Sequence, residues 1–320
     1  MFVIRHWLLM VLPFALWGTA MAAMTPLVES AGPLVVASMR LLPAGVVLLT
    51  AVIALGRQWT IASCDLWWFL IFTFVDASLF QFCLARGLVE TGAGLGSVII
   101  DSQPLMVALL ARSLFGDGIN PIGWLGLMIG LLGIICLGAP PELLSNWWLM
   151  GHPQSITNLL RQGEIWMFGA AIAMAFGTVL IRFSCRESDP IAVTGWHMVL
   201  GSFPLILWHF LNDTSPIWPN WSTFEWGLMT YASLFGSALA YGLFFWFANR
   251  EELTTFSSLA FLTPVFALAC GGIWLGERLS LLQWLGVFLV LVSVLLVSQR
   301  RRFWYPNLDD GDALQGEISS

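Results

Sequence analysis

The chain has 320 residues, of which 58% are apolar and only 10% charged, against roughly 25% charged in an average soluble domain. So few charges cannot cover that much apolar surface in water, which excludes an ordinary soluble enzyme and a disordered protein. All thirteen positive residues are arginine, the net charge is −6, and the absence of a basic stripe excludes nucleic acid as a partner. Lipid is the natural solvent of such a chain, and membrane lipids are its expected surroundings.

A bilayer core of about 30 Å needs roughly 20 apolar residues per helix. Apolar runs of that length recur near 7–25, 33–55, 66–86, 92–114, 121–139, 164–183, 190–211, 226–248, 252–274 and 281–299. The prediction is an all-α integral membrane protein with ten transmembrane helices. The first run carries Trp17 and ends in Ala20-Met21-Ala22, which has some likeness to a signal-peptide cleavage site. The repeat described below extends through that run, so it is read as a retained span. The second carries Arg40, seven residues in. The third carries Asp76, ten residues beyond Leu66 and so roughly 15 Å into the helix, followed by Gln81. The fourth opens on Gly92, Gly94 and Gly96 and carries Asp101, Gln103 and Pro104. In the fifth, Gly123, Gly126, Gly130 and Gly133 form one small-residue stripe suited to close helix packing.

Residues 140–163 read as an external linker, with Trp147-Trp148-Leu149-Met150 suited to the headgroup layer. The seventh run carries His197 and His209, the eighth Tyr241 followed by Asn249, and the ninth Pro264. Residues 300–320 form an acidic tail that starts with Arg300-Arg301-Arg302. Placing the N-terminus inside puts nine arginines on the cytoplasmic side and three (Arg86, Arg161, Arg278) outside, as the positive-inside tendency favours. Both termini are therefore expected in the cytoplasm and the protein in the plasma membrane.

An internal repeat is the strongest feature. Adding 160 to the segment Leu79–Leu132 carries Leu79 to Leu239, Gln81 to Tyr241, Pro104 to Pro264, and Trp124-Leu125-Gly126 to Trp284-Leu285-Gly286 without a gap. Nearer the front, Trp17-Gly18-Thr19 corresponds to Phe176-Gly177-Thr178, Pro33 to Pro190 and Arg40 to His197. The chain divides into a first repeat over 7–139 and a second over 164–299. Five spans per repeat is an odd number, so the second repeat enters from the opposite side and the two are expected to be inverted.

Leu16-Trp17-Gly18, Arg40 after Pro33, Pro264 with Trp274-Leu275-Gly276-Glu277-Arg278, and Gln283-Trp284-Leu285-Gly286 resemble the EamA type of the drug/metabolite transporter superfamily. The resemblance covers about residues 7–299. It departs at Phe115-Gly116-Asp117 and at Asp101-Ser102-Gln103-Pro104, where Gly-Glu and an apolar approach to proline are usual. The resemblance implies a cavity between the halves, lined by the first four helices of each, and a metabolite as cargo.

Charges inside a bilayer are costly and point to partners or a water-filled path. Arg40 offers a fork of donors for an anionic group. Asp76 and Asp101 are candidates to take and release a proton. The competing structural reading is an Arg40–Asp pair that fastens helices. Trp17, Gln81, His197 and Tyr241 are further candidates for the substrate site. Pro104 and Pro264 are read as mid-helix kinks that serve as hinges. The five cysteines and four histidines lack ligand spacing, so no metal or cofactor is expected. With no lysine there is no Walker A loop, and ATP is not the driving force of this chain alone. The expectation is a permease rather than an enzyme: a secondary carrier of a small polar metabolite such as an amino acid, working by alternating access, plausibly a proton-coupled exporter. A membrane-embedded enzyme or lipid-handling protein using the two aspartates is the alternative. The oligomeric state is left between monomer and homodimer.

Overall fold

A computed structural model of the chain describes residues 2–87, 99–138, 162–212, 218–275 and 280–300. Among these residues the structure is all-helical. The helices are α1 (Phe2–Ala31), α2 (Pro33–Ala54), α3 (Leu66–Gly87), α4 (Gln103–Phe115), α5 (Pro121–Gly138), α6 (Gln162–Ser184), α7 (Pro190–Asn212), α8 (Thr223–Ala248), α9 (253–275) and α10 (Leu281–Ser298). Eight of the helices are long and apolar enough to cross a membrane by length and composition. The apolar helices α4 and α5 are shorter and stand where the fourth and fifth spans were expected. The predicted Gly92, Gly94 and Gly96, the linker tryptophans, Glu277 and the tail from 301 lie outside the described residues.

Local chemistry sets the boundaries. Gly32 turns the chain between α1 and α2 with φ +80°, a conformation open to glycine, and Pro33 starts α2 where its missing N–H costs nothing. Gly116 ends α4 in the left-handed region. The two fifth helices are capped at equivalent positions. Gly123 N donates to Asn120 Oδ1 at the start of α5, and Gln283 N donates to Ser280 Oγ at the start of α10.

Each half buries itself mainly against the other. The two fifth helices pair, as do the two second helices, while α1 packs on α8 and α9 and α6 packs on α3 and α4. Exchange of the halves leaves this pattern unchanged. Equivalent helices run antiparallel. Along α5, Gly123, Gly126, Gly130 and Gly133 meet in turn Arg300, Val297, Ser293 and Val290, descending along α10. Along α2, Gly45 abuts Val199 and Leu49 abuts Gly195. The glycine stripe of α5 is therefore filled from within the chain, which leaves it no role as a dimer face.

The repeat extends to departures from regular helix. α3 contains a π-helical segment, Thr73–Leu79, and α8 contains one at Leu234–Leu239, which the 160-residue offset superposes on it apart from the first residue. Ahead of α4, residues 99–102 form a tight turn closed by bonds from Ser102 N to Ile99 O and from Leu105 N to Ser102 O. Their counterparts Leu259–Leu262 form a 3₁₀ segment inside α9. For Pro104 this moves the expected mid-helix kink to the start of a helix, whereas Pro264 lies within α9, directly after its 3₁₀ segment. Pro104 stands in the first turn of α4, and Pro264 is the second residue of the α-helical segment Thr263–Leu275. At Pro104 the missing N–H falls in the first helical turn, where such a group has no intrahelical acceptor. The helix is interrupted before the proline rather than by it.

One end of the bundle is fastened by polar contacts, some between the halves (Asp65, Arg57 and Trp59 with residues 187–196) and some within the second (Arg182 and Arg300). Asp65, fully buried, accepts from the backbone N–H of Glu187 and Ser188 at 2.9 and 2.8 Å. Arg57 forms an ion pair with Asp189 at 2.5 Å, and Trp196 Nε1 donates to Trp59 O. Arg182 caps the end of α8 through Ala248 O and Glu251 O, and Arg300 pairs with Glu252. Burial alone would raise the Asp65 carboxyl, but the amide donors of Glu187 and Ser188 outweigh it and hold it below the usual carboxylate range. Several arginines assigned to one side of the membrane thus meet at one end.

Candidate functional site

The central polar cluster sits where the halves meet. Gln81 and Tyr241, repeat counterparts on α3 and α8, are bonded to each other: Gln81 Nε2 donates to Tyr241 Oη at 3.3 Å. Arg40 Nη2 donates to Gln81 Oε1 at 3.4 Å, and its guanidinium carbon lies 6.0 Å from the Tyr241 ring centroid. Trp17 contacts the same tyrosine edge-on at 5.0 Å between centroids. Four helices (α1, α2, α3 and α8) therefore bring Trp17, Arg40, Gln81 and Tyr241 together.

Asp76 does not pair with Arg40. Its Oδ2 lies 3.1 Å from His197 Nε2 on α7, and both side chains are essentially sealed, at 2% and 1% exposure. His197 Nδ1 sits 2.6 Å from Thr194 O. A carbonyl only accepts, so Nδ1 carries a hydrogen and donates it there. Nε2 then faces the Asp76 carboxylate, and the two side chains form a hydrogen-bonded pair. Phe72 stacks on the imidazole at 4.5 Å and Phe245 meets it edge-on at 5.4 Å, which fixes the ring. The Arg40–Asp fastening considered from the sequence is thus replaced by a histidine–aspartate pair, because α3 packs its π-helical segment against α7. Among the described residues, Arg40 makes no ion pair.

Gly177 on α6 gives Asp76 its space. A Cβ at Gly177 would run into the Asp76 carboxylate. In the sequence Gly177 stands out only as the repeat counterpart of Gly18, which does not disclose this role. Its neighbour Thr178, also missed, accepts from Gln103 Nε2 at 3.0 Å and so ties α4 to α6. The signal that pointed to both was Phe176-Gly177-Thr178 repeating Trp17-Gly18-Thr19. Asp101 stands apart from the central cluster, half-buried in the turn ahead of α4. Among the described residues it makes no ion pair. His209 lies further along α7, away from this pair, and Asn249 ends α8.

A cavity of about 130 Å³ opens at the end of the bundle where α1 turns into α2, lined by Ala31–Val35, Ala85 and Arg86. Arg40 lies five residues further along α2 from Val35, and Gln81 four residues back along α3 from Ala85. The Arg40–Gln81 bond therefore bridges, deeper in the bundle, the same two helices that line the cavity. Among the described residues no group of three or more His, Cys, Asp or Glu side chains is placed to hold a metal ion.

The EamA-like transporter family matches this chain twice, over residues 5–139 and 161–299. A protein of Synechocystis named as a transporter is 46% identical over 305 residues, covering 93% of this chain and 91% of its own length. A chloroplastic WAT1-related protein of Arabidopsis thaliana is 42% identical over 300 residues, covering 92% of this chain and 69% of its own. A solved crystal structure superposes with a TM-score of 0.77 at 16% identity, over 91% of this chain and 97% of that one, which shows the shared fold.

Proposed function

We propose, from its membership of the EamA-like transporter family, to which this multi-pass membrane chain belongs, that it is a secondary carrier of a small polar metabolite working by alternating access. The observation that carries the reading is the buried contact between repeat counterparts. Gln81 and Tyr241 meet at the junction of the halves and hold Arg40 beside them. A substrate bound there touches both repeats at once. Rocking of one half against the other then exposes it to either side. Support for an inverted arrangement, with ten spans over 7–139 and 164–299, comes from equivalent helices in contact that run antiparallel. In this reading the fastened end is the cytoplasmic end, both termini are cytoplasmic, the membrane is the plasma membrane, and the side carrying the cavity is the outer one.

The substrate site of this proposal is Arg40, Trp17, Gln81 and Tyr241. Coupling is assigned to the Asp76–His197 pair. It is hydrogen-bonded, sits against the cluster through Phe245, and lies within electrostatic reach of Tyr241. Loss or gain of a proton there changes the charge next to the site, which links proton movement to substrate. Asp101, at the break before Pro104, is the second carboxylate of the proposal, and the breaks before Pro104 and Pro264 are the points of bending. No cofactor, metal or ATP enters the cycle.

Counterflow in proteoliposomes tests the carrier reading without a guess at the driving ion. Vesicles loaded with pooled unlabelled amino acids, nucleobases and sugars are expected to take up a labelled member saturably. Absence of uptake by folded, inserted protein across the whole panel counts against the carrier and moves the enzyme alternative forward.

A further inference from the structure

Arg40 is a buried charge to which the described residues supply no counter-charge. It is 7% exposed, and among the described residues no carboxylate pairs with it. A guanidinium so enclosed is costly unless an anion compensates it. The internal repeat says where that anion would be expected. His197 is the counterpart of Arg40, and the fold gives His197 a partner, Asp76, from the π-helical segment of α3. The counterpart of Asp76 in the π-helical segment of α8 is Gly236. A Cβ at Gly236 would already meet Ala20 of α1, so a carboxylate is both missing there and has no room.

The buried polar atoms of Arg40 and Trp17 that lack a partner are N–H donors. Arg40 Nε has no hydrogen-bond partner, and neither has Trp17 Nε1, which is 9% exposed. Tyr241 Oη accepts from Gln81, which leaves its own O–H to donate. Asp76, the carboxylate within electrostatic reach of Tyr241, is occupied by His197. Three donors and one uncompensated positive charge lie at the Tyr241 ring, and among the described residues no unoccupied carboxylate stands there to receive an ammonium group.

Resting on the carrier reading above, we infer that the cargo is a small organic monoanion whose carboxylate is received by Arg40, Trp17 and Tyr241, and that an amino group is not part of what the site recognises. The fork of Arg40 takes a carboxylate in two parallel bonds, and loss of that charge removes the strongest contact. Arg40 is here a substrate-binding residue and the counter-ion of the cargo.

The test uses the full-length protein in detergent, in a chloride-free sulfonate buffer, with thermal unfolding as readout. The probes are propionate, benzoate and phenylacetate, each against its amide and its amine, with chloride as a separate titrant. The expected result is a saturable stabilisation by the carboxylates, with apparent affinity roughly tenfold or more above that of the matching amides and none for the amines. Arg40→Gln is expected to reduce carboxylates to the level of amides. If that variant does not fold, the wild-type comparison decides alone, and Arg40→Lys, which keeps the charge and loses the fork, is expected to keep the rank order at lower affinity. Amines or amides binding as well as carboxylates overturn the inference, as does no binding by any of them. Chloride reproducing the full effect and displacing the carboxylates overturns it in favour of an inorganic counter-ion. The same compounds, labelled, in counterflow separate the two readings. Carboxylate binding without exchange sinks the carrier and leaves the anion site standing. Exchange of amines or neutral compounds without carboxylate preference sinks the anion site and leaves the carrier standing.

Discussion

The segments Thr73–Leu79 and Leu234–Leu239 share a backbone distortion and differ in what they do with it. In the first, the π-helical turn presents Asp76 to His197, and Gly177 opens the space that the carboxylate fills. In the second, Gly236 stands at the equivalent place and closes against Ala20. π-helical turns in longer helices often mark functional sites. Here the backbone feature is repeated and the chemistry is not. A symmetric scaffold can thus carry one titratable pair on one side and one unneutralised arginine on the other.

The largest effects should come from the pair itself. His197→Ala leaves a buried carboxylate without its partner and should cost about 3–5 kcal/mol, read as a lowered unfolding midpoint in detergent. Asp76→Asn keeps the shape and removes the titratable carboxyl. It should flatten the pH dependence of counterflow, and an unchanged profile would dismiss coupling through this pair. The glycines come next. Gly177→Ala and Gly236→Ala both overpack and should each cost about 1–3 kcal/mol. Only Gly177→Ala pushes on Asp76, so only it should also move the pH profile of flux. Equal changes in both profiles would erase the distinction between the segments.

Asp65 supplies a control far from both segments. Its folded carboxyl is held below the usual range, so the stability it contributes is present above the ordinary carboxylate pKa and is lost as pH falls through the folded value. Asp65→Asn should cost on the order of 1–3 kcal/mol by weakening two bonds to a charged acceptor, and should blunt acid destabilisation measured by a pH series of unfolding midpoints. Flux pH dependence should stay as in the wild type. The smallest effects are expected at the prolines. Pro104→Ala alters a first-turn position and Pro264→Ala one that follows the 3₁₀ segment of α9, and each should shift stability within about 1 kcal/mol. A mid-helix kink would respond much more strongly, so the Pro104 variant also checks where α4 begins.

Much of this was legible in the chain. Apolar runs of bilayer length located the helices, since backbone groups in lipid must bond within their own segment. The 160-residue offset paired Gln81 with Tyr241, and the structure brings the two into direct contact. It also aligned Arg40 with His197, although nothing in the alignment said that one would be neutralised and the other left charged. Asp76 and His197 are 121 residues apart in sequence, and no local pattern encodes that meeting. Both prolines were visible, but the turn at 99–102 and the 3₁₀ segment at Leu259–Leu262 that precede them leave no mark in apolar periodicity.

The sequence by itself determined that the chain lies in a membrane, is helical, is built twice over, and carries a few polar groups that lipid would not tolerate alone. Those conclusions follow from solvation and periodicity, which act residue by residue. Only the tertiary structure decided which buried charge meets which. The interlocking of the halves puts α3 against α7 and α8 against α2, and a partner for a buried charge is chosen by whichever helix face is packed within about 3 Å of it. That choice gave Asp76 to His197 and left Arg40 with the neutral amide of Gln81 and, among the described residues, no carboxylate.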